Sequence, residues 1–174
     1  MKVLALDAAA IRTGWAVLVH DGDSPRLVDY GSLELPEKMG MGERLSLFRK
    51  TLKGIAKEYK PDLISVEEPY IRFIKTAMTL IKISGAVQQV AYECTGREAV
   101  IVAVSTVRAQ LGIKTKGEAG KAELAKEIMD RFGIEETEYD ETDAIGVGWV
   151  TPLVIRRKAC RKPKKRKKKK ASSS

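Results

Sequence analysis

Cysteine is scarce in this chain: Cys94 and Cys160 are the only two in 174 residues. They form no disulfide framework and lack the close spacing of a metal-binding set. Histidine is scarcer still, with His20 alone, so a cluster of imidazole and thiolate ligands is excluded. His20 lies in the turn-rich stretch His20-Asp-Gly-Asp-Ser-Pro25 and is expected at the surface. No run approaches the ~18 uninterrupted apolar residues that a membrane span needs. The first residues show neither the charge pattern nor the apolar length of a signal peptide. These absences predict a cytoplasmic protein, with no membrane partner, whose chemistry rests on groups other than sulfur or imidazole.

Charge is abundant but unevenly placed. The formal net charge is +9, yet residues 156–174 hold twelve of the 32 Lys and Arg and none of the 23 acids. Residues 1–155 therefore carry 20 bases against 23 acids, a net of −3. With 44% hydrophobic residues, the body is long enough for one domain with a proper core. We read 1–155 as a folded domain and 156–174 as a disordered basic tail attracted to nucleic acid without regard to sequence.

The body reads as mixed α/β. Lys2-Val-Leu-Ala-Leu-Asp7 is an apolar strand ending on a carboxylate, with Val3, Ala5 and Asp7 on one face and Leu4 and Leu6 on the other. Strands over 14–19 and 27–35 complete an antiparallel meander. Leu45, Phe48, Leu52, Ile55 and Tyr59 mark one face of a helix. Leu63 to Glu68 is a strand that again ends in acid, and its length after the helix fits a right-handed crossover to a parallel neighbour. If that neighbour is the first strand, Glu67 comes beside Asp7.

Helix is predicted over 73–95, a fifth strand over 99–104, a short helix over 106–111 with Ser105 as cap, a mobile basic loop over 112–120, and a helix over 122–132 ended by Gly133. A last helix spans about 142–150, closed by Pro152. In the 73–95 helix, Ile74, Met78 and Ile81 are expected on the sheet. Leu80, Ile83, Val87 and Val90 then form a second apolar stripe, read as a homodimer interface.

The chemistry is expected in the acids. Asp140 and Asp143 are three apart at the start of the last helix and project from one side of its first turn. Helix capping alone would explain that pair; Gly146 and Gly148, costly in a helix, point instead to close packing on the sheet. Converged with Asp7 and Glu67, these carboxylates repel one another unless a divalent cation binds them. All-oxygen ligation selects Mg²⁺ or Mn²⁺, and two such ions roughly 3.5–4 Å apart suit in-line phosphodiester displacement.

Leu4-Ala-Leu-Asp7 with Arg12-Thr-Gly-Trp-Ala16, then Val66-Glu-Glu-Pro-Tyr70, then Asp140-Glu-Thr-Asp143-Ala144 resemble the successive acidic motifs of the RuvC family of Holliday-junction resolvases. The resemblance covers about residues 2–150. It implies an RNase H-like fold, with a mixed five-stranded sheet flanked by helices, a homodimer, and a four-way DNA junction as substrate. It also implies two catalytic Mg²⁺ ions on Asp7, Glu67, Asp140 and Asp143.

Tyr70 takes the place of the family aromatic that enters the junction centre, and Arg108 and Lys121 take the places of family DNA-binding or catalytic lysines. Arg72 and Phe73, beside Tyr70, and the basic loop residues Lys114 and Lys116 are further candidate DNA contacts. The chain departs from the family in having Ala8-Ala9 after the first Asp, where Pro-Gly or Pro-Ser is usual. It has Arg108 where Lys is common, and its long tail suggests a phage or other outlying branch. The competing readings are an RNase H-like nuclease acting on flaps, other branched DNA or RNA–DNA hybrids, and a non-catalytic nucleic-acid-binding protein.

Overall fold

The first strand, β1 (Lys2–Asp7), is the middle strand of a five-stranded sheet. A computed structural model describes residues 1–22, 24–69, 74–135 and 137–160, with the backbone alone at 74–76. Beside β1 lie β2 (Arg12–Val19), paired antiparallel with it, and β3 (Arg26–Glu34), antiparallel to β2. On its other side β4 (Leu63–Glu67) and then β5 (Val100–Val102) run parallel. The order β3-β2-β1-β4-β5 is the expected mixed sheet. The crossover from β3 to β4 is α1 (Met41–Tyr59), which Lys60 ends in the left-handed conformation at φ 48°.

Alternation on β1 divides the core into two layers. Leu4 and Leu6 join Ile64, Val66 and Val17 under α1 and α2 (Ile74–Thr95). Val3 and Ala5 join Ala16, Leu18 and Val102 under α3 (Val104–Leu111), α4 (Gly117–Phe132) and α5 (Tyr139–Cys160). The expected loop over 112–120 thus ends four residues early, because Gly117, at φ +66°, already opens α4.

The two stripes of α2 are exchanged relative to the sequence expectation. Ile83, Ala86, Val87, Val90 and Ala91 follow the i, i+3, i+4, i+7, i+8 pattern and are all buried in the chain's own core. Leu80 is half-buried. Met78 and Ile81, expected on the sheet, are 52% and 51% exposed, and Tyr92 is 64% exposed. Ile83, Val87 and Val90 are therefore core residues, not an interface. Apolar residues on both faces made the sequence assign the wrong stripe to the sheet; the sheet takes the one that continues unbroken to Ala91.

The last helix is also longer than expected. Pro152 does not close it; α5 runs from Tyr139 to Cys160 with Pro152 inside. The folded part therefore extends past residue 155, and Arg156 to Cys160 are its last turns rather than the start of a tail. Residues 161–174 lie outside the described residues. A proline has no N–H to give the carbonyl four residues back, here that of Gly148. His20 Nε2 meets that carbonyl oxygen at 3.1 Å, so the single histidine is a half-buried partner of α5 rather than a free surface residue. Its burial lowers its pKa from the ordinary 6.5.

Glycine sets how closely α5 lies on the sheet. A side chain at Gly148 would run into Leu18 and come within 3.0 Å of the Ala5 Cβ. One at Gly146 would come within 2.8 Å of Val107 on α3. The expected close packing on the sheet thus holds for Gly148, whereas Gly146 packs against α3 instead.

Candidate metal centre

In the parallel pair, Leu4 lies opposite Ile64, Ala5 opposite Ser65 and Leu6 opposite Val66. The next residues along both strands are Asp7 and Glu67, so register alone carries two carboxyls to the same sheet edge. Above them the first turns of α5 bring Asp143. One oxygen from each of Asp7, Glu67 and Asp143 lies within 4.8 Å of the others.

Behind Asp7 the chain breaks through Ala8, Ala9 and Ala10 into β2, and side chains from elsewhere hold that turn. Thr13, 1% exposed, receives the Ala9 N–H at 3.3 Å, and Arg44 on α1 donates to the Ala10 carbonyl. Thr13 and Arg44 thus tie down the turn that follows Asp7.

The acids suffer from their company. Burial, then the charges of Asp143 and Asp140, push Asp7 up to about 7. Burial, then Asp7 and Asp143, push Glu67 up to about 8, and burial raises Asp143 to about 6. Lys121 on α4 opposes these shifts at all three, and Arg108 on α3 opposes them at Glu67 and Asp143. Three carboxyls that resist ionising together form a cradle for positive charge. Their all-oxygen donor set fits a hard divalent cation.

Asp140 stands apart from that trio. Its pKa is also raised, mainly by burial, but its nearest cation is Arg12, whose Nε lies 3.8 Å from Oδ2. Lys121 and Arg108 sit close enough to act on the acids. Lys114 and Lys116 are exposed on the segment before α4, and Lys116 caps that helix through its backbone alone. Tyr70, Arg72 and Phe73 lie outside the described residues.

Two residues quoted in the first motif prove to matter beyond their expected place. A side chain on Gly14 would collide with the backbone carbonyl of Asp140, so Gly14 admits the first turn of α5. Arg12 holds that turn by charge. A glycine inside an apolar strand is the signal that marks such close approach in sequence; nothing local marks Arg12.

The family model for the crossover junction endodeoxyribonuclease RuvC matches residues 3–150. The chain belongs to the RuvC family. It is 31% identical over 147 residues to the RuvC of Synechocystis sp., covering 83% of this chain and 86% of that one. It is 30% identical over 150 residues to the RuvC of Akkermansia muciniphila, covering 85% and 88%.

Among solved structures it resembles Thermus thermophilus RuvC in complex with a Holliday junction substrate, with a TM-score of 0.77 at 19% identity over 90% of this chain and 96% of that one. The yeast mitochondrial Holliday junction resolvase follows at a TM-score of 0.59 and 13% identity, over 89% and 80%. These likenesses show the RNase H-like resolvase fold. Among the described residues no helix is long and apolar enough to cross a membrane.

Proposed function

We propose that this RuvC-family protein is a metal-dependent endonuclease that resolves four-way DNA junctions by paired nicks. The observation that carries the reading is the meeting of Asp7, Glu67 and Asp143 at one strand edge, their oxygens within 4.8 Å, in a chain of this family. Mg²⁺ is the ion the all-oxygen set suits, with Mn²⁺ as a substitute. Asp7, Glu67 and Asp143 would hold one ion, and a second would draw on Asp140. The chemistry such a pair supplies when bound is activation of water and relief of charge on the leaving oxygen in an in-line phosphodiester displacement.

The chain's own residues do the rest. Asp7 and Glu67 are fixed by strand register, so they need no reorganisation when the phosphate arrives. Lys121 and Arg108 place positive charge beside the acids, where a scissile phosphate oxygen would sit. Tyr70, with Arg72 and Phe73, is the candidate contact to unstacked bases at the junction centre. Lys114 and Lys116 flank the strand backbone as phosphate contacts.

Two matched cuts require two sites in symmetric positions, which a two-fold dimer provides. The exposed face of α2, with Met78 and Ile81, supports that assembly. The deciding experiment is cleavage of end-labelled four-way junctions beside duplex, flap and RNA–DNA hybrid, with Mg²⁺, with Mn²⁺ and with chelator. Symmetric nicks in the junction alone are expected. Equal cleavage of flaps or hybrids would replace the substrate, and cleavage unaffected by chelator would remove the metal.

A further inference from the structure

Arg12 opens β2, and its guanidinium faces three carboxylates at the entry to α5: Glu138 at 3.6 Å, Asp140 at 3.8 Å and Glu141 at 3.7 Å. None of these separations is a hydrogen bond, so the cation is shared among three anions rather than docked on one. Its Nε is buried and has no hydrogen-bond partner among the described residues. Two residues along the same strand, Gly14 lies against the Asp140 backbone. That contact fixes how far Arg12 stands from the first turn of α5.

The same turn belongs to the metal centre. Asp143, one turn further on, reaches Asp7 and Glu67; Asp140 sits outside that trio and beside the guanidinium. Asp140 is therefore placed between two claims on its charge, the cluster on one side and Arg12 on the other. Arg12 acts on Asp140 ahead of Lys121, whereas Asp7, Glu67 and Asp143 feel Lys121, joined by Arg108 at the last two, and not Arg12.

We infer that Arg12 is a positioning residue for the second cation: it holds Asp140 aside from Asp7, Glu67 and Asp143, and the ion that needs Asp140 must take it from the guanidinium. Glu138 and Glu141 make that transfer easier, because they keep Arg12 paired after Asp140 leaves. The first cation, on the trio, binds without disturbing Arg12. The consequence is ordered loading, with the trio filled before the site that completes the pair.

The inference rests on the metal-centre reading, and Mn²⁺ binding separates the two. Free Mn²⁺ followed by electron paramagnetic resonance during titration of the full chain should show a tighter and a weaker class of site. Arg12→Gln should tighten the weaker class roughly threefold or more, the size of one partly exposed ion pair, and leave the tighter class within about twofold. Arg12→Lys, which keeps the charge, should stay near wild type. In an Asp140→Asn background the weaker class should vanish, and Arg12→Gln should then change nothing.

Equal shifts in both classes, or an effect of Arg12→Gln that survives Asp140→Asn, would overturn the inference in favour of a general electrostatic field. Loss of both classes with a lowered melting temperature would overturn it in favour of a structural clamp. Should Arg12→Gln not fold, Glu138→Gln decides: its side chain is 64% exposed, and removing it should leave Asp140 more firmly held and loosen the weaker class alone. An unchanged weaker class in Glu138→Gln refutes the proposal. A wild-type chain that binds no Mn²⁺ overturns the metal reading and this inference with it; two wild-type classes indifferent to Arg12→Gln overturn this inference alone.

Discussion

Metal-free stability should fall as pH rises, and Asp7 provides the sharpest test. Its carboxyl is raised from 3.8 to about 7 in the folded chain, so the folded state binds a proton that the unfolded chain has released. A group raised on folding contributes stability that is fully present below the unfolded pKa and is lost as pH climbs through the folded one. At about 1.36 kcal/mol for each pH unit between the two values, Asp7 contributes about 4 kcal/mol in full, of which about 2–3 kcal/mol disappears between pH 5 and pH 8. For a chain of this length that loss lowers the melting temperature by roughly 5–10 °C.

Glu67, raised to about 8, and Asp143, raised to about 6, act in the same direction. The perturbation is Asp7→Asn, which keeps the shape and removes the titrating proton. Thermal unfolding in chelator should then be less dependent on pH between 5 and 8 than in wild type, whatever the substitution does to stability at a single pH. Protons and cations compete for the same oxygens, so Mn²⁺ should raise the wild-type melting temperature more at pH 8 than at pH 5. Parallel pH curves for wild type and Asp7→Asn, or a larger Mn²⁺ gain at pH 5, would refute a crowded carboxylate cradle.

Four further outcomes are expected. Asp7→Asn, Glu67→Gln and Asp143→Asn should each abolish junction cleavage yet preserve junction binding in gel-shift assays without metal, because removing negative charge does not weaken attraction to phosphate; wild-type cleavage by any of them removes that residue from the site. Gly14→Ala should destabilise the chain by about 1–3 kcal/mol in urea titrations through collision with Asp140 and lower cleavage more than Gly54→Ala, a position with nothing within 4 Å. Ile81→Glu should leave the fold intact and shift sedimentation from dimer to monomer, whereas Ile83→Glu, at a site 2% exposed, should fail to fold; the reverse pattern would restore Ile83 to an interface. His20→Ala should cost about 1–3 kcal/mol by leaving the Gly148 carbonyl unpaired, and much of that loss should return when Pro152→Ala supplies the missing N–H; an additive double mutant would refute the pairing.

The legible parts of the chain were those where a local pattern carries a global consequence. Asp7 ends one apolar strand and Glu67 ends another, and two parallel strands joined by a helix bring their ends to one edge whatever lies elsewhere. Asp143 followed because a carboxylate three residues after Asp140 stays on one side of a helix that Gly148 lets lie close to the sheet. What the sequence read wrongly depended on a partner outside the local window. The inner face of α2 needed the sheet to choose between two apolar stripes. Pro152 reads as a stop, and the helix continues through it where His20, more than a hundred residues earlier, donates to the orphaned carbonyl.

The same distinction separates Asp140 from the other acids. By residue type and spacing the four carboxylates are equivalent, and repulsion among them gives one reason to expect cations. In the fold, three are held by strand register and helix phase, while the fourth is held by a side chain from a different strand. A cluster of four bare acids at one point would carry the full cost of crowding before any ion arrived. Setting Asp140 against Arg12 removes part of that cost from the metal-free chain without removing the ligand. Arg12 can do this because the Ala8–Ile11 turn returns the chain beside β1, and Gly14 lets α5 approach the same strand. The first motif thus supplies both the central acid and, five residues later, the cation that restrains its neighbour.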